Sequence, residues 1–380
     1  MAKRATSYLT EGYCEKRRCK NCVLADICGG CENGECLVYL CSRGYRYVGI
    51  TYPTRFCYYR DFCHGVFDKK IERPKIPEKM FNQSNLELPR YIPIIKVSER
   101  DSWFWEKLNH PALIVKLEEF LLQPSLLNEV AKCGLHDFLG FNGIIILSSI
   151  MPDEILDKLS GREYGELVEK LKPDAFMFID DYTYIDDPYL ISWRNLFRLF
   201  QRTLEMKDIE AYPIGLIKGA SRKQIAWCIE SLVKMGIRTF AFPCRNLPTR
   251  YVYQFLESII FKLKGLRSTL IIYGSTILPR QVRQAIKEKA EEQEISLCYA
   301  SMTWYINAKY GIATYKGRNY QLPLNISYNC NCQFCRDKPL HILANDVKSL
   351  ALHNLSQIIS YHDGSEEWEL DSVEGSIEKD

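Results

Sequence analysis

The sequence predicts an α/β protein whose main domain is a closed (β/α)8 TIM barrel. Short, continuously apolar runs recur from residue 111 onward, and amphipathic helical stretches separate them. Such alternation is typical of buried parallel strands with right-handed crossovers. The interval 111–357 also has the length of such a barrel, about 250 residues. An open, doubly wound sheet is the alternative, but no Gly-x-Gly-x-x-Gly follows the first run, which disfavours it.

Seven apolar runs are predicted as strands. They are residues 112–115, 144–147, 175–179, 214–217, 239–242, 270–273 and 296–299. Among the intervening segments, Ser221–Met235 and Pro279–Glu292 have clear helical periodicity, and the second begins with proline and has a charged outer face.

Composition divides the chain into four segments. Residues 1–70 are rich in cysteine, arginine and tyrosine but poor in aliphatic residues, which predicts a small module stabilised by metal. Residues 71–110 contain four prolines and are predicted as a linker. The barrel with its zinc site is expected over 111–357, and an acidic, disordered tail over 358–380. An autoinhibitory strip is the alternative function of that tail.

Charge and hydropathy exclude some classes of protein. The sequence contains no run of eighteen apolar residues, the length needed to cross a membrane, and its first residues lack the apolar core of a secretory signal. A cytoplasmic protein without membrane contact is therefore expected.

Charge is unevenly distributed along the chain. The tail over 358–380 holds eight acids and one lysine; with a net charge of +3 for the whole chain, the preceding residues carry an excess of ten positive charges. That excess fits a polyanionic partner such as RNA or DNA.

A compact cysteine group near the C-terminus predicts a metal site. Cys330, Cys332 and Cys335 form a C-x-C-x-x-C triplet. A tetrahedral Zn²⁺ site needs a fourth ligand, for which His353 is the first candidate and His341 the alternative.

This triplet, followed by His353-Asn354-Leu355, resembles the zinc site of the tRNA-guanine transglycosylase superfamily. The resemblance covers roughly 130–356. Its other segments, in family order, are Gly134–Gly143, Phe178-Ile179-Asp180-Asp181, Ile214–Gly219 (similar to a substrate-binding strand and its Val-Gln-Gly-Gly turn) and Tyr305–Lys309. The chain is thus identified as a divergent member with an additional N-terminal module, and the resemblance implies a (β/α)8 barrel.

The resemblance also implies a base-binding site at Asp180, Asp181, Lys218 and Gly219, with a carboxylate that reads a guanine-type edge. Family catalysis uses two aspartates, one as acid/base and one as the nucleophile at C1′ of the ribose. Ser148 and Ala300 occupy those positions, and no aspartate occurs from 264 to 336. Neither residue can capture an oxocarbenium-like centre as a carboxylate does.

Each of these residues also has a simpler interpretation. Asp180 and Asp181 are also suited to a helix N-cap or a loop, and Lys218 to a solvated position instead of a phosphate or carboxylate site.

Cys244 is a separate candidate. It follows a strand and could face the pocket, where a thiolate can add to the nitrile of 7-cyano-7-deazaguanine. A buried structural cysteine is the alternative.

The N-terminal module contains nine further cysteines whose pairing the sequence does not define: Cys14, Cys19, Cys22, Cys28, Cys31, Cys36, Cys41, Cys57 and Cys63. C-x-x-C knuckles indicate one or two Zn²⁺ ions, C-x4-C-x2-C also suits an iron–sulfur cluster, and absence of metal is the third alternative. Interleaved basic and aromatic residues suit nucleic-acid contacts; a knuckle that docks on the barrel or on another subunit is the alternative.

Three functions therefore compete. The first is a non-catalytic subunit that binds tRNA or DNA and a 7-deazaguanine-type base, and works with an active transglycosylase subunit or as a homodimer. The second is an enzyme with altered chemistry, either base exchange with relocated residues or modification of a 7-cyano-7-deazaguanine already in the polymer. The third is a metal-dependent redox module, which only the N-terminal spacing supports.

Overall fold

The computed structural model describes most of the chain after residue 72. The described residues are 73–81, 86–98, 104–183, 189–206, 209–244, 247, 249–274, 280–322, 330, 332–335, 343 and 345–363. The predicted N-terminal module, with its nine cysteines, lies outside them.

Eight parallel strands form a closed barrel in chain order, which confirms the predicted α/β barrel. They are β1 (Tyr91–Ile95), β2 (Ala112–Lys116), β3 (Ile144–Ser148), β4 (Ala175–Met177), β5 (Tyr212–Leu216), β6 (Thr239–Pro243), β7 (Ser268–Tyr273) and β8 (Ile295–Ser301).

Helices surround the barrel. They are α1 (Trp105–Leu108), α2 (Leu117–Leu122), α3 (Pro124–Leu139), α4 (Asp153–Leu156), α5 (Gly161–Leu171), α6 (Tyr189–Glu205), α7 (Arg222–Lys234), α8 (Thr249–Lys262) and α9 (Arg280–Glu291). After β8 follow α10 (Thr303–Lys309), the antiparallel hairpin β9 (Ile312–Tyr315) and β10 (Arg318–Gln321), and α11 (Val347–Asp363). No described helix combines the length and apolar character needed to cross a membrane.

The first barrel strand was missing from the sequence prediction. All seven apolar runs contain strands, although β4 ends at Met177 and β5 at Leu216, before the predicted ends of their runs. The eighth strand, β1, lies in the segment 71–110 that was predicted as a linker. That prediction is wrong from Tyr91 onward, because β1 pairs with β2 on one side and with β8 on the other. The barrel therefore begins about twenty residues before the predicted boundary at residue 111.

The last helix covers the strand pair that closes the barrel. Tyr91 of β1 and Tyr299 of β8 are register partners, and the ring of His362 stacks on both, with centroid distances of 5.4 and 4.2 Å. Because α11 continues to Asp363, residues 358–363, which were predicted as part of the disordered tail, are helical. Residues 364–380 lie outside the described part of the chain.

Two apolar layers make up the core. The barrel interior is filled by side chains such as Ile92, Ile114, Ile146 and Ile271. A larger layer between strands and helices holds most of the aromatic residues. Alternate residues of each strand enter these two layers, as parallel barrels require. Strand parity therefore decides which side chains can reach the interior.

Candidate functional site

The two positions where the resemblance implies aspartates both lie on the inner side of the barrel. On β3, Ile146 packs in the interior and Leu147 in the outer layer, so Ser148 faces inward at the end of the strand; it is fully buried. On β8, Ala300 belongs to the interior layer and is also fully buried. These positions are near the carboxyl ends of the strands, where barrel enzymes have their active sites.

A hydroxyl–hydroxyl contact crosses the interior at this level. Ser148 Oγ donates to Tyr273 Oη at 3.2 Å, and Tyr273 is the last residue of β7. Strands β3 and β7 are four apart in the closed order and so lie on opposite sides of the barrel. The pair lies in the interior near the carboxyl ends of the strands, a region here called the barrel mouth. Sequence analysis missed Tyr273; a polar-tipped aromatic ending an apolar strand was the available signal.

Asp180 and Lys218 are brought together at the carboxyl ends of β4 and β5, which are neighbours in the barrel. Lys218 Nζ lies 2.9 Å from Asp180 Oδ1, and the two side chains are 15% and 6% exposed. Burial raises the pKa of Asp180 above its ordinary value, while the charge and hydrogen bond of Lys218 oppose that rise. The pair is a largely buried donor and acceptor beside the mouth.

Asp181 has a different environment. Its side chain is fully buried and accepts two hydrogen bonds from Arg198, Nε to Oδ2 at 2.5 Å and Nη2 to Oδ1 at 2.7 Å. Arg202 Nη1 lies 3.7 Å from Oδ2. Both carboxylate oxygens thus bind arginines of α6. Of the two adjacent aspartates, Asp180 is the one whose side chain pairs with a residue that follows the neighbouring strand, Lys218.

Gly219 shapes the turn that follows Lys218. Its φ of +152° is in the region that favours glycine, and a Cβ would lie 2.8 Å from Ile225 N. Its own N–H donates to Thr183 Oγ1 at 3.0 Å, which links the segment after β5 to the segment after β4. Gly219 therefore positions the Asp180–Lys218 pair, and its N–H is already bonded within the protein.

Cys244 does not face the barrel interior. Along β6, Ala241 lies in the interior, whereas Phe240, Phe242 and Cys244 pack in the layer between strands and helices. The thiol is 4% exposed and donates to Tyr273 O at 3.3 Å. The expectation that Cys244 could face the pocket is wrong, because its parity along the strand is that of the outward residues.

The predicted C-terminal ligands form a compact cluster. The Sγ atoms of Cys330, Cys332 and Cys335 lie 3.6, 3.4 and 3.1 Å from His353 Nδ1, and all four ligand atoms are within 4.8 Å of one another. Around a tetrahedral ion with ordinary zinc bond lengths, such atoms would be separated by about 3.5–3.8 Å. This Cys3His cluster can therefore hold a metal ion. His341, the alternative ligand, lies outside the described residues.

Hydrogen bonds orient the cluster. The Nε2–H of His353 donates to the carbonyl oxygen of Thr314 at 2.9 Å, which leaves Nδ1 directed at the three sulfurs. Gln357 Nε2 and the backbone N–H of Cys332 both donate to Cys330 Sγ, at 3.7 and 3.5 Å. Burial lowers the pKa of His353, but its contacts with Cys330 and Cys332 raise it to about 9. Metal binding therefore has to release protons.

The residue after His353 ties the cluster to the barrel. Asn354 accepts from Thr314 N at 2.6 Å and donates to the carbonyl oxygens of Ile312 and Trp304 at 2.9 and 3.2 Å. Trp304 Nε1 in turn donates to Ile94 O at the end of β1, at 3.3 Å. The metal-ligand helix, the hairpin and the first strand thus form one hydrogen-bonded unit.

Comparison with known proteins does not identify a family. No protein-family model matches the chain, and a search of curated proteins finds no significant match.

Replacing Lys218 by methionine should make the stability of the fold more sensitive to pH. Asp180 would keep its burial but lose its cation, so its pKa should rise further. A carboxyl group whose pKa is raised by folding stabilises the fold when protonated, and this contribution is lost as pH increases through the raised pKa. We expect the free energy of unfolding of Lys218→Met, measured in urea between about pH 4 and pH 8, to fall more steeply than that of the parent.

The double variant Lys218→Met/Asp180→Asn is the matched control. It lacks the titrating carboxyl group, so the additional pH dependence should disappear. Equal pH profiles for the single and double variants would show that the buried pair does not couple to folding as described.

Proposed function

We propose that this chain is a transglycosylase-like protein of a 7-deazaguanine pathway that binds tRNA or DNA and a guanine-type base without exchanging the base on its own. The proposal joins the sequence resemblance to three features of the described structure. These are the eight-stranded barrel, the Cys3His cluster next to its last helix, and the Asp180–Lys218 pair at its carboxyl end.

The observation that carries the proposal is the nature of the inward residues at the ends of β3 and β8. Ser148 and Ala300 face the interior where the resemblance implies carboxylates. Displacing a base from C1′ of a ribose requires a group that stabilises and captures the developing positive charge. A serine whose hydroxyl donates to Tyr273 and an alanine do not supply one. We therefore infer binding without base exchange.

Asp180 and Lys218 supply what a guanine-type edge requires. A carboxylate accepts from a ring N–H and an exocyclic amino group, and an ammonium donates to the neighbouring carbonyl oxygen. The two side chains bind each other at 2.9 Å through Asp180 Oδ1, which leaves Oδ2 and further N–H donors of Lys218 for a ligand.

Zinc is the ion we propose for the C-terminal cluster. Three thiolates and one imidazole are a donor set that zinc prefers, and four protein ligands leave no open position for substrate. Its contribution there is to hold α11 against the barrel. For the N-terminal module, a second Zn²⁺ or an iron–sulfur cluster remains the proposal that the cysteine spacing supports.

Incorporation of labelled guanine or 7-cyano-7-deazaguanine tests the proposal. The purified chain is incubated with bulk tRNA and, separately, with duplex DNA, first alone and then with an active transglycosylase from the same cell. We expect no incorporation by the chain alone, together with binding of the polymer or stimulation of the active enzyme. Incorporation by the chain alone would contradict the proposal and indicate exchange with carboxylates located elsewhere.

Binding of the base is measured separately by equilibrium dialysis. Asp180→Asn should abolish retention of the labelled base, because the amide nitrogen then opposes the donors of the ligand. Asp137→Asn, at an exposed position of α3, is the matched control and should bind like the parent. Unchanged binding by Asp180→Asn would remove the base-reading role of that carboxylate.

A further inference from the structure

The segment that precedes the barrel runs alongside α7. At its C-terminal end, the N–H of Phe81 donates to the carbonyl oxygen of Met235 at 2.8 Å and so satisfies an acceptor at the end of the helix. At its N-terminal end, the guanidinium of Arg73 lies over the ring of Trp227, 5.3 Å from the centroid. Residues 73–81, here called the strap, therefore follow α7 over about two helical turns.

Arg73 lies at the same end of the barrel as Lys218. The residue after Trp227, Cys228, accepts from the backbone N–H of Lys218 and donates to the carbonyl oxygen of Leu216, both at 3.4 Å. Leu216 is the last residue of β5, so this part of α7 packs against the carboxyl end of that strand. The chain that precedes Arg73 therefore reaches the barrel beside the proposed base site.

An aromatic cluster holds the ring below Arg73. Trp227 contacts Trp193, Phe197 and Phe200 of α6, with centroid distances of 5.6, 5.0 and 5.1 Å. Packing on three sides fixes the orientation of the Trp227 ring. A guanidinium is planar and loses little conformational freedom when it binds an anion, and a fixed ring beneath it reduces that loss further.

A second cation lies next to Arg73. Lys223 is exposed and precedes Trp227 by one helical turn, so the two side chains share a face of α7. Helical side chains lean toward the N-terminus, which brings the Trp227 ring, and the guanidinium over it, toward Lys223. The first turn of α7 contains no acidic residue, so the positive end of the helix dipole adds to the charge of this surface.

The acidic residues of α7 and of the strap do not balance these two cations. Each element contains one acid, Glu230 and Glu78, and both form ion pairs with other lysines, at 2.7 and 3.6 Å. Within the described part of the chain, no ion pair includes Arg73 or Lys223. The sequence over 69–75 is also basic, with four cationic residues and one acid.

We propose that Arg73 and Lys223 form a contact surface for the phosphate backbone of a nucleic-acid strand that also reaches the N-terminal module. The module predicted over 1–70 ends three residues before Arg73, so its last residue is within about 11 Å of this surface. Separate cations on an open surface suit a chain of phosphates better than a single small anion, which binds in a pocket. That the strand is the tRNA or DNA of the proposed function rests on that proposal; the position of the surface rests on the strap and α7.

Fluorescence titration of short, labelled single strands of RNA and of DNA with the full chain tests the surface. We expect Arg73→Met and Lys223→Met each to weaken binding about two- to fivefold, and the double variant about tenfold. The plot of log affinity against log salt concentration should become shallower by about 0.7 for each cation removed. The losses should be the same for strands of different sequence, because phosphate contacts do not read bases.

Three further variants sharpen the result. Arg73→Lys keeps the charge and should retain most of the affinity that Arg73→Met loses. Lys132→Met, at an exposed position of α3, is the matched control and should bind like the parent. Lys223→Gln changes only an exposed side chain, so it tests the surface even if circular dichroism shows that the strap variant does not fold. Unchanged affinity and salt slope in the double variant would overturn the surface, as would failure of the parent chain to bind either strand.

The outcome is separable from that of the proposed function. If strand binding depends on both cations while the chain exchanges bases on its own or binds no guanine-type base, the surface stands and the proposed function falls. If the base and the strand are bound without exchange but strand binding does not depend on the cations, the reverse holds.

Discussion

Replacing Cys335 by serine is expected to remove one equivalent of metal from the purified protein and to destabilise it by about 4 kcal/mol or more. Cys335 is fully buried, and its Sγ lies 3.1 Å from His353 Nδ1 and 3.4 Å from Cys332 Sγ. Without this thiolate a bound ion would lose one of its four ligands. Once the ion is lost, the three remaining ligands are buried without the cation that they share. Elemental analysis measures the metal content, and denaturant unfolding measures the stability.

Cys133→Ser is the control for this experiment. Cys133 is an exposed free cysteine on α3, far from the cluster in sequence, so its variant should keep both metal content and stability. The difference in metal content between Cys335→Ser and the parent reports the C-terminal ion alone, because any metal held by the N-terminal cysteines would be present in both. An unchanged metal content in Cys335→Ser would contradict the assignment of these four ligands.

Replacing Arg198 by methionine is expected to cost about 3–5 kcal/mol of stability. Asp181 is fully buried and receives two hydrogen bonds from Arg198, while Arg202 is 3.7 Å away. Methionine would fill much of the space but leave the carboxylate with one distant cation. Arg198 also lies over the ring of Tyr182, 5.0 Å from its centroid, so the segment after β4 should loosen as well. Urea unfolding measures the effect.

An exposed ion pair gives the contrast. In the Arg267–Glu294 pair, the side chains are 82% and 67% exposed, so Arg267→Gln should cost less than about 1 kcal/mol. The double variant Arg198→Met/Asp181→Asn should recover part of the loss, because it removes the uncompensated charge. A loss for Arg198→Met no larger than that for Arg267→Gln would contradict the role assigned to this pair.

The barrel could be predicted because seven of its strands are continuously apolar, as strands buried on both faces must be. The eighth, β1, was missed because Pro93 lies within it and Pro89 precedes it, and proline normally argues against an interior strand. Pairing with both β2 and β8 outweighs that local signal.

The metal cluster could be predicted because three of its ligands lie within six residues and the fourth belongs to a short motif. Contacts between segments that are distant in sequence could not be predicted in this way. Ser148 and Tyr273 are 125 residues apart, and nothing local indicates that their hydroxyl groups meet. Cys244 was misplaced for a different reason: position at a strand end was recognised, but parity along β6 was not applied. In the same way, the different environments of Asp180 and Asp181 become evident only once Arg198 is placed beside Asp181.

The closure of the barrel has a consequence for biosynthesis. Its first and last strands come together through Tyr91 and Tyr299, and the helix that covers them, α11, is the last one described. A nascent chain that has not yet extended through His362 exposes this apolar surface, a hazard for aggregation and a target for chaperones. Because His353 lies on the same helix, the Cys3His cluster that could hold a metal ion is also incomplete until that stage. A metal ion could therefore bind all four ligands only after the chain has extended through this helix.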